Sequence, residues 1–197
     1  MRTVAILPVK SFDAAKQRLS ADLGEPQKPL AERMVARVLD ALCTATSLER
    51  VLVVTREPVA AALASGLGAE VVDEPSLAGH SAAAIRGVDR ALELGADRVL
   101  LAAGDCPLLT SGDVDELLAR HTDRGVVILA DRHGSGTNGL LLAPPDAITP
   151  AFGPGSRERH AALADIAGMP WQVEAIQAFA LDVDTADDLA LVREMSA

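Results

Sequence analysis

The chain has 197 residues and is 49% hydrophobic, enough to enclose the core of one domain. Its 28 acidic and 18 basic residues leave a formal net charge of −10, which argues against a general nucleic-acid binder, because such a protein needs a basic face to displace counterions. No apolar run approaches the roughly 20 residues that span a bilayer, and the N-terminus enters a strand without a signal-peptide pattern, so a cytoplasmic protein is expected.

Thr3-Val-Ala-Ile-Leu7 reads as a buried first strand, followed by a loop carrying Lys10, Lys16 and Arg18. From Pro29 a long helix is predicted, because Leu30, Met34, Val38 and Leu42 recur every fourth residue as one apolar stripe. Val51–Val54 is the second strand. A short helix begins around Pro58, a favourable first-turn residue, and ends at Gly66 or Gly68 before the brief strand Glu70–Val72.

The next helix is predicted to start near Ser81, with Ala84, Ile85, Val88, Ala91 and Leu92 as its core face and Gly95 as its stop. Arg98–Ala102 then returns as the central strand. Ser111 is placed to cap a helix running to about His121, Val126–Ala130 is a further strand, and Asn138–Leu142 pairs near it as a candidate antiparallel insertion. Pro144-Pro145 closes that segment, Ser156–Ile166 reads as helical, Val173–Val183 holds one or two strands, and a last helix starts at Ala186. This alternation predicts one α/β domain over residues 1–197, with a mainly parallel, doubly wound sheet.

Two strand ends deliver carboxylates. Val99–Ala103 runs into Gly104-Asp105-Cys106-Pro107, and Leu181-Asp182-Val183-Asp184-Thr185 repeats the arrangement late in the chain. In alternating α/β chains ligands bind beyond the C-terminal ends of the strands, so Asp105, Asp182 and Asp184 suggest a divalent-metal and phosphate site. An aspartate after a strand also serves as a helix cap or turn residue, which competes for Asp105 in particular. Asp182 and Asp184 are two residues apart and on extended backbone share a face, an unfavourable placement of like charges unless a cation sits between them.

The first loop contains neither GxxxxGK[ST] nor GxGxxG, so phosphate is held in some other way than by a P-loop or dinucleotide fingerprint. Cys43 and Cys106 match neither a disulfide framework nor a zinc pattern and are expected to be reduced, with Cys106 a small buried loop residue rather than a nucleophile.

Six segments, in order along the chain, carry a specific resemblance. They are Pro8-Val-Lys10, Lys16-Gln-Arg18-Leu19, Gly104-Asp105-Cys-Pro107, Asp131-Arg-His-Gly-Ser-Gly-Thr137-Asn138, Phe152-Gly-Pro-Gly-Ser156-Arg-Glu-Arg-His160 and Asp182-Val-Asp184-Thr185. Together they resemble the CofC/FbiD guanylyltransferase family. The resemblance implies a nucleotide-diphospho-sugar transferase fold, similar to glycosyltransferase A. It also implies a step of coenzyme F-420 biosynthesis, in which GMP passes from GTP to phosphoenolpyruvate with release of pyrophosphate. Relatives that use 2-phospho-L-lactate keep that acceptor open, and 3-phospho-D-glycerate stands beside it.

On this resemblance Asp105, Asp182 and Asp184 hold Mg2+, and Lys10, Lys16 and Arg18 form the catalytic basic group that neutralises the departing pyrophosphate. Thr137, Gly153 and Ser156 match the acceptor-binding positions, as two hydroxyls and a glycine whose N–H can approach an anion closely. Arg132, His133, Arg157, Arg159 and His160 surround these segments and are expected to supply local positive potential, without a proton-transfer role for either histidine.

Many relatives have Gly-Leu-Asn where this chain has Gly79-His80-Ser81, so guanine preference is implied by the resemblance rather than read from residues. The expected partners are GTP and a small phosphorylated carboxylic acid, with pairing into a homodimer and hand-off of product to a downstream transferase both open. Another nucleotidyltransferase of the same fold is the nearest competing enzyme, and a non-catalytic nucleotide-binding regulatory subunit is the alternative from a different class.

Overall fold

The computed structural model describes residues 1–12, 27–74 and 79–195. The expectations for Lys16 and Arg18 lie outside the described residues. The strands are β1 (Thr3–Val9), β2 (Arg50–Thr55), β3 (Glu70–Val72), β4 (Arg98–Ala102), β5 (Gly125–Ala130), β6 (Thr137–Ala143) and β7 (Trp171–Glu174). The helices are α1 (Gln27–Thr44), α2 (Pro58–Gly66), α3 (His80–Glu93), α4 (Ser111–Arg120), α5 (Ser156–Ile166), α6 (Gln177–Ala180) and α7 (Ala186–Met195).

Among the described residues, the strands join one seven-stranded sheet in the order β3-β2-β1-β4-β6-β5-β7. β6 runs antiparallel to both of its neighbours, β4 and β5, and every other pairing is parallel. The expected mainly parallel sheet with Asn138–Leu142 as its antiparallel member is therefore what the chain forms. Helices cover both faces, as parallel strands without a polar side require. Ala5, Leu7 and Val9 of β1 share a core with residues of α1, α2 and α4, while Val4 and Ile6 point to the opposite core with α3.

α1 buries the predicted stripe, with Leu30, Met34, Val38 and Leu42 all inside. For α3 the face differs from expectation. Ile85 and Leu92 are exposed, and the buried residues are Ala83, Ala84, Gly87, Val88 and Ala91. A Cβ on Gly87 would lie 2.3 Å from Ile6 Cγ2, so the small residues are the ones that let α3 approach β1. Counting apolar residues misses this, because a glycine at the point of closest approach contributes nothing to the count.

Two further boundaries are corrected. Thr110, rather than Ser111, caps α4, in a capping box with Asp113. Val173–Val183 contains only the end of β7 and then the short helix α6, so Asp182 and Asp184 follow a helical turn and not a strand.

β1 continues to Val9 because its pairing with β2 extends to Val9↔Thr55, whereas its pairing with β4 stops at Ile6↔Leu101. Beyond that point β1 and β4 are no longer neighbours in the ladder. Pro8, which lacks an amide hydrogen, sits where this edge has become free. The gap at the C-terminal ends of β1 and β4 is the crevice in which open α/β sheets bind ligands.

Candidate active site

Asp105 follows the end of β4 in a turn that two backbone contacts hold in place. The Ala103 amide donates to the Asn138 carbonyl at 2.8 Å, and the Val183 amide donates to the Asp105 carbonyl at 3.0 Å. The second bond brings the late Asp-x-Asp segment against the β4 turn. Leu181 and Val183 are buried, so the residues alternating with them, Asp182 and Asp184, face the other way. Asp105, Asp182 and Asp184 each offer a carboxylate oxygen, and these oxygens lie within 4.8 Å of one another.

Such a cluster of like charges needs compensation. Burial, and then the Asp105 carboxylate, push the Asp182 carboxyl above its usual range, against the opposing effect of the Asn138 side-chain amide. That amide donates to Asp182 Oδ1 at 3.1 Å and to the Phe179 carbonyl at 3.0 Å. The carboxylate set offers hard oxygen donors, which fits Mg2+ rather than a softer ion. A cation held among them would relieve the repulsion that raises Asp182.

Asp184 is positioned from behind. Its amide donates to Asp188 Oδ2 at 3.0 Å, as do the Thr185 amide at 2.8 Å and the Thr185 hydroxyl at 2.9 Å. Asp188 is buried, and its other oxygen pairs with the Arg132 guanidinium. One carboxylate thus caps α7, orders the Asp184 backbone and anchors the segment that leads into β6.

Thr137, Gly153 and Ser156, dispersed in sequence, come together beside the carboxylates. Thr137 begins β6 and Ser156 begins α5, and both are buried. Gly155, with φ +69°, is the residue that caps α5, and Gly153 has φ +116°, so both occupy backbone conformations that favour glycine. The Ser156 amide donates to the Gly153 carbonyl at 3.0 Å.

The two residues Arg159 and His160 pin the loop before α5. Arg159 donates to the Ala151 carbonyl and to the Pro154 carbonyl, each at 2.9 Å. His160 is fully buried, and its Nε2 lies 2.9 Å from the Ala151 amide, with Nδ1 3.1 Å from the Thr137 hydroxyl. Burial, reinforced by the charge of Arg159, pulls its pKa down to about 4, so the ring is neutral at pH 7. Of the expected surrounding cations, Arg132 and Arg159 are directed at protein groups and His160 is uncharged, which reduces the positive potential that the sequence suggests there.

Two cavities meet at the carboxylates. The larger, of about 680 Å³, contains Thr137, Asn138, Gly153 and Ser156 on its wall, and the smaller, of about 340 Å³, reaches toward Met34 and Val35 of α1. Lys10, His80, Ala103, Asp105 and Asp184 border both. Lys10 follows β1 directly, in a segment fastened by bonds from the Thr55 hydroxyl to the Val9 carbonyl (2.8 Å) and from the Phe12 amide to Glu57 Oε2 (3.0 Å). His80 stands edge-on to Phe152 at 4.9 Å, and burial together with Lys10 lowers its pKa.

The structure therefore gathers Lys10, Thr137, Gly153, Ser156, Asp105, Asp182 and Asp184 around one double cavity. Asp188 and Glu57 are not singled out by the sequence, while His80 stands there only as part of the Gly79-His80-Ser81 departure. Asn138 has a signal in that it closes the segment beginning at Asp131. Glu57 reaches the Phe12 amide, 45 residues away, which no local pattern reveals, whereas Asp188 bonds the nearby Asp184 and Thr185 in a Thr185-x-x-Asp188 capping pattern and only its pairing with Arg132 is remote. Cys106 is buried as expected, with its Sγ 3.2 Å from the Phe179 carbonyl.

Comparison with known proteins finds relatives along nearly the whole chain. A phosphoenolpyruvate guanylyltransferase of Conexibacter woesei is 50% identical, over 100% of this chain and 90% of that protein. Another, from Sphaerobacter thermophilus, is 37% identical over 96% of this chain and 91% of that protein. Among solved structures, a nucleotide-diphospho-sugar transferase from Desulfovibrio desulfuricans G20 matches with TM-score 0.78 at 16% identity, over 100% of this chain and 88% of that one. A nucleotidyl transferase from Methanothermobacter thermautotroptrophicus matches with TM-score 0.74 at 24% identity, covering 98% of this chain and 97% of that one. These two structural likenesses establish the nucleotidyltransferase fold. The family model described as "Guanylyl transferase CofC like" matches residues 3–193, and with the 50% identical relative it shows that this chain belongs to the CofC-like guanylyl transferase family.

Proposed function

We propose that this protein transfers GMP from GTP to phosphoenolpyruvate, giving enolpyruvyl-2-diphospho-5'-guanosine and pyrophosphate in coenzyme F-420 biosynthesis. An acceptor phosphate oxygen forms a bond to the α-phosphorus of GTP while the α–β bridging P–O bond breaks, and the electron pair leaves with pyrophosphate. The observation that carries this reading is the position of Asp105 and Asp184 on the wall between two cavities, one of which holds Thr137, Gly153 and Ser156. A donor nucleotide and an anionic acceptor on either side of that wall would meet at the carboxylates.

Asp105, Asp182 and Asp184 would hold Mg2+, which supplies charge neutralisation between two phosphates that otherwise repel. Lys10 lies beside the same wall and would bind phosphate oxygens, with Lys16 and Arg18 assigned to pyrophosphate on their motif. Thr137 and Ser156 would donate hydroxyl bonds to the acceptor, and the Gly153 N–H would approach it without a side chain in the way. The acceptor phosphate is already ionised at neutral pH, so the reaction needs no general base. The same reading makes residues 1–197 one cytoplasmic nucleotidyltransferase domain that hands its product to a downstream transferase.

The test is to incubate the protein with GTP and Mg2+ and, separately, phosphoenolpyruvate, 2-phospho-L-lactate or 3-phospho-D-glycerate. Pyrophosphate release is followed and the nucleotide product identified by mass. Release dependent on phosphoenolpyruvate is expected. Release with another acid alone would transfer the same chemistry to that acceptor, and GTP binding without turnover on any acid, with a downstream transferase supplied, would favour the regulatory-subunit alternative.

A further inference from the structure

We infer that His160 is a positioning residue for the acceptor, which acts by fixing the direction of the Thr137 hydroxyl while it holds the loop that carries Gly153. The inference deepens the proposed function and rests on it. The Ala151 amide is a donor only, so His160 Nε2, 2.9 Å away, must accept and bears no hydrogen. A neutral imidazole with Nε2 bare carries its hydrogen on Nδ1, and that hydrogen points at Thr137 Oγ1, 3.1 Å away. Thr137 Oγ1 is thereby the acceptor in this bond. Its own proton is left to be donated elsewhere, and Thr137 lines the 680 Å³ cavity.

The ring cannot relax from this state easily. It is 0% exposed, and Phe152 packs edge-on against it with centroids 5.2 Å apart. Arg159, the preceding residue, holds the Ala151 carbonyl, so both polar groups of the Ala151 backbone are tied to adjacent residues of α5. The loop from Ala151 to Gly155 and the hydroxyl of Thr137, on different elements, are thus set by one imidazole. An acceptor anion meets a preoriented donor instead of a rotor that must be ordered on binding.

Two variants separate the halves of this role. In His160→Gln the side-chain carbonyl reaches the Nε2 position and keeps the Ala151 bond but leaves Thr137 without its donor. In His160→Asn the amide nitrogen stands near the Nδ1 position and keeps the Thr137 bond. His160→Gln is expected to raise the KM for phosphoenolpyruvate about tenfold with the KM for GTP unchanged, as befits one lost neutral hydrogen bond, and His160→Asn to restore much of that loss. Added to Thr137→Val, His160→Gln should cause no further rise, because its effect runs through the missing hydroxyl. Equal effects on both substrates, or full additivity with Thr137→Val, would overturn the inference.

A measurement on the unmodified protein covers the case in which these variants do not fold. The chain has four histidines, so 15N-histidine spectra can be assigned through variants of His80, His121 and His133. His160 is expected as the Nδ1–H tautomer, and an Nε2–H tautomer would overturn its role even in an active enzyme. Absence of turnover with phosphoenolpyruvate in the unmodified protein would instead overturn the functional reading and, with it, the acceptor role.

Discussion

The Asn138 side chain donates to Asp182 Oδ1 at 3.1 Å and thereby joins the antiparallel strand β6 to the late Asp-x-Asp segment. The same NH2 group donates to the Phe179 carbonyl, so its orientation is set from two sides. Burial, with the Asp105 and Asp184 charges adding to it, pushes the Asp182 carboxyl up, and this amide is a neutral donor that opposes the shift. Asn138→Ala removes the donor and leaves Asp182 less able to stay ionised. With the proposed metal role, divalent-cation affinity should fall by about 10- to 100-fold, the usual effect of losing a partner that orients a ligand. Titration with Mn2+, read by electron paramagnetic resonance, would check this. Unchanged affinity would show that Asn138 serves only the Phe179 contact.

Much of this architecture is legible in the chain because its signals are local. The four-residue stripe of α1, Pro58 at the head of α2 and the short apolar runs of the strands each report their own burial. The carboxylate triad was also legible, since Asp105 follows a strand and Asp182 and Asp184 alternate with buried Leu181 and Val183. What failed was the reading of residues whose neighbours are remote. The core face of α3 is set by Ile6 of β1 pressing on Gly87, and the segment before Asp182 turns helical with Phe179 buried beneath it. The pairing of Arg132 with Asp188 and of His160 with Thr137 likewise depends on the sheet order and not on spacing.

Breaking the Arg132–Asp188 pair should show how far the Asp184 segment depends on it. Asp188→Ala removes the acceptor of the Asp184 amide and of both Thr185 donors, and it leaves Arg132 without its carboxylate. A destabilisation of about 1–2 kcal/mol is expected, chiefly from the lost helix cap, because the Arg132 left without its carboxylate is exposed and can be solvated. Asp188→Asn keeps an acceptor for the cap and loses only the charge, so it should fall between the two. Urea unfolding of the three proteins would order them, and equal stability of Asn and Ala would place the whole effect in the charge.

Gly87→Ala tests the close approach of α3 to β1. Helix propensity alone favours alanine by about 1 kcal/mol. The added Cβ, however, would sit 2.3 Å from Ile6 Cγ2 and 3.1 Å from Val54 Cγ2, both on buried strands. Overpacking of this kind typically costs about 1–3 kcal/mol, so net destabilisation is expected. Ile6→Ala in the same protein removes the clashing methyl. The double variant should be more stable than the sum of the two single losses predicts, measured by the same unfolding experiment.

Acid should weaken the protein through His160. Its ordinary value near 6.5 applies in the unfolded chain, while burial lowers it to about 4 in the folded one. Above 6.5 neither state carries the proton and the group has no effect. As the pH falls from 6.5 to 4 the unfolded state takes up a proton that the folded state refuses, so stability declines over that interval. Below 4 both states are protonated and this loss stops growing. At about 1.4 kcal/mol per pH unit the full loss is on the order of 3 kcal/mol. Protonation also forces Nε2 to stop accepting from Ala151, so the loop before α5 should open as part of the same event. Urea midpoints at pH 7.5, 5.5 and 4.5 are expected to fall steeply for the unmodified protein and less for His160→Gln, which has no imidazole to charge. Carboxylates such as Asp182 titrate in both proteins, so the difference between the two profiles isolates His160. Parallel profiles would mean that the buried ring accepts its proton as readily as an unfolded one.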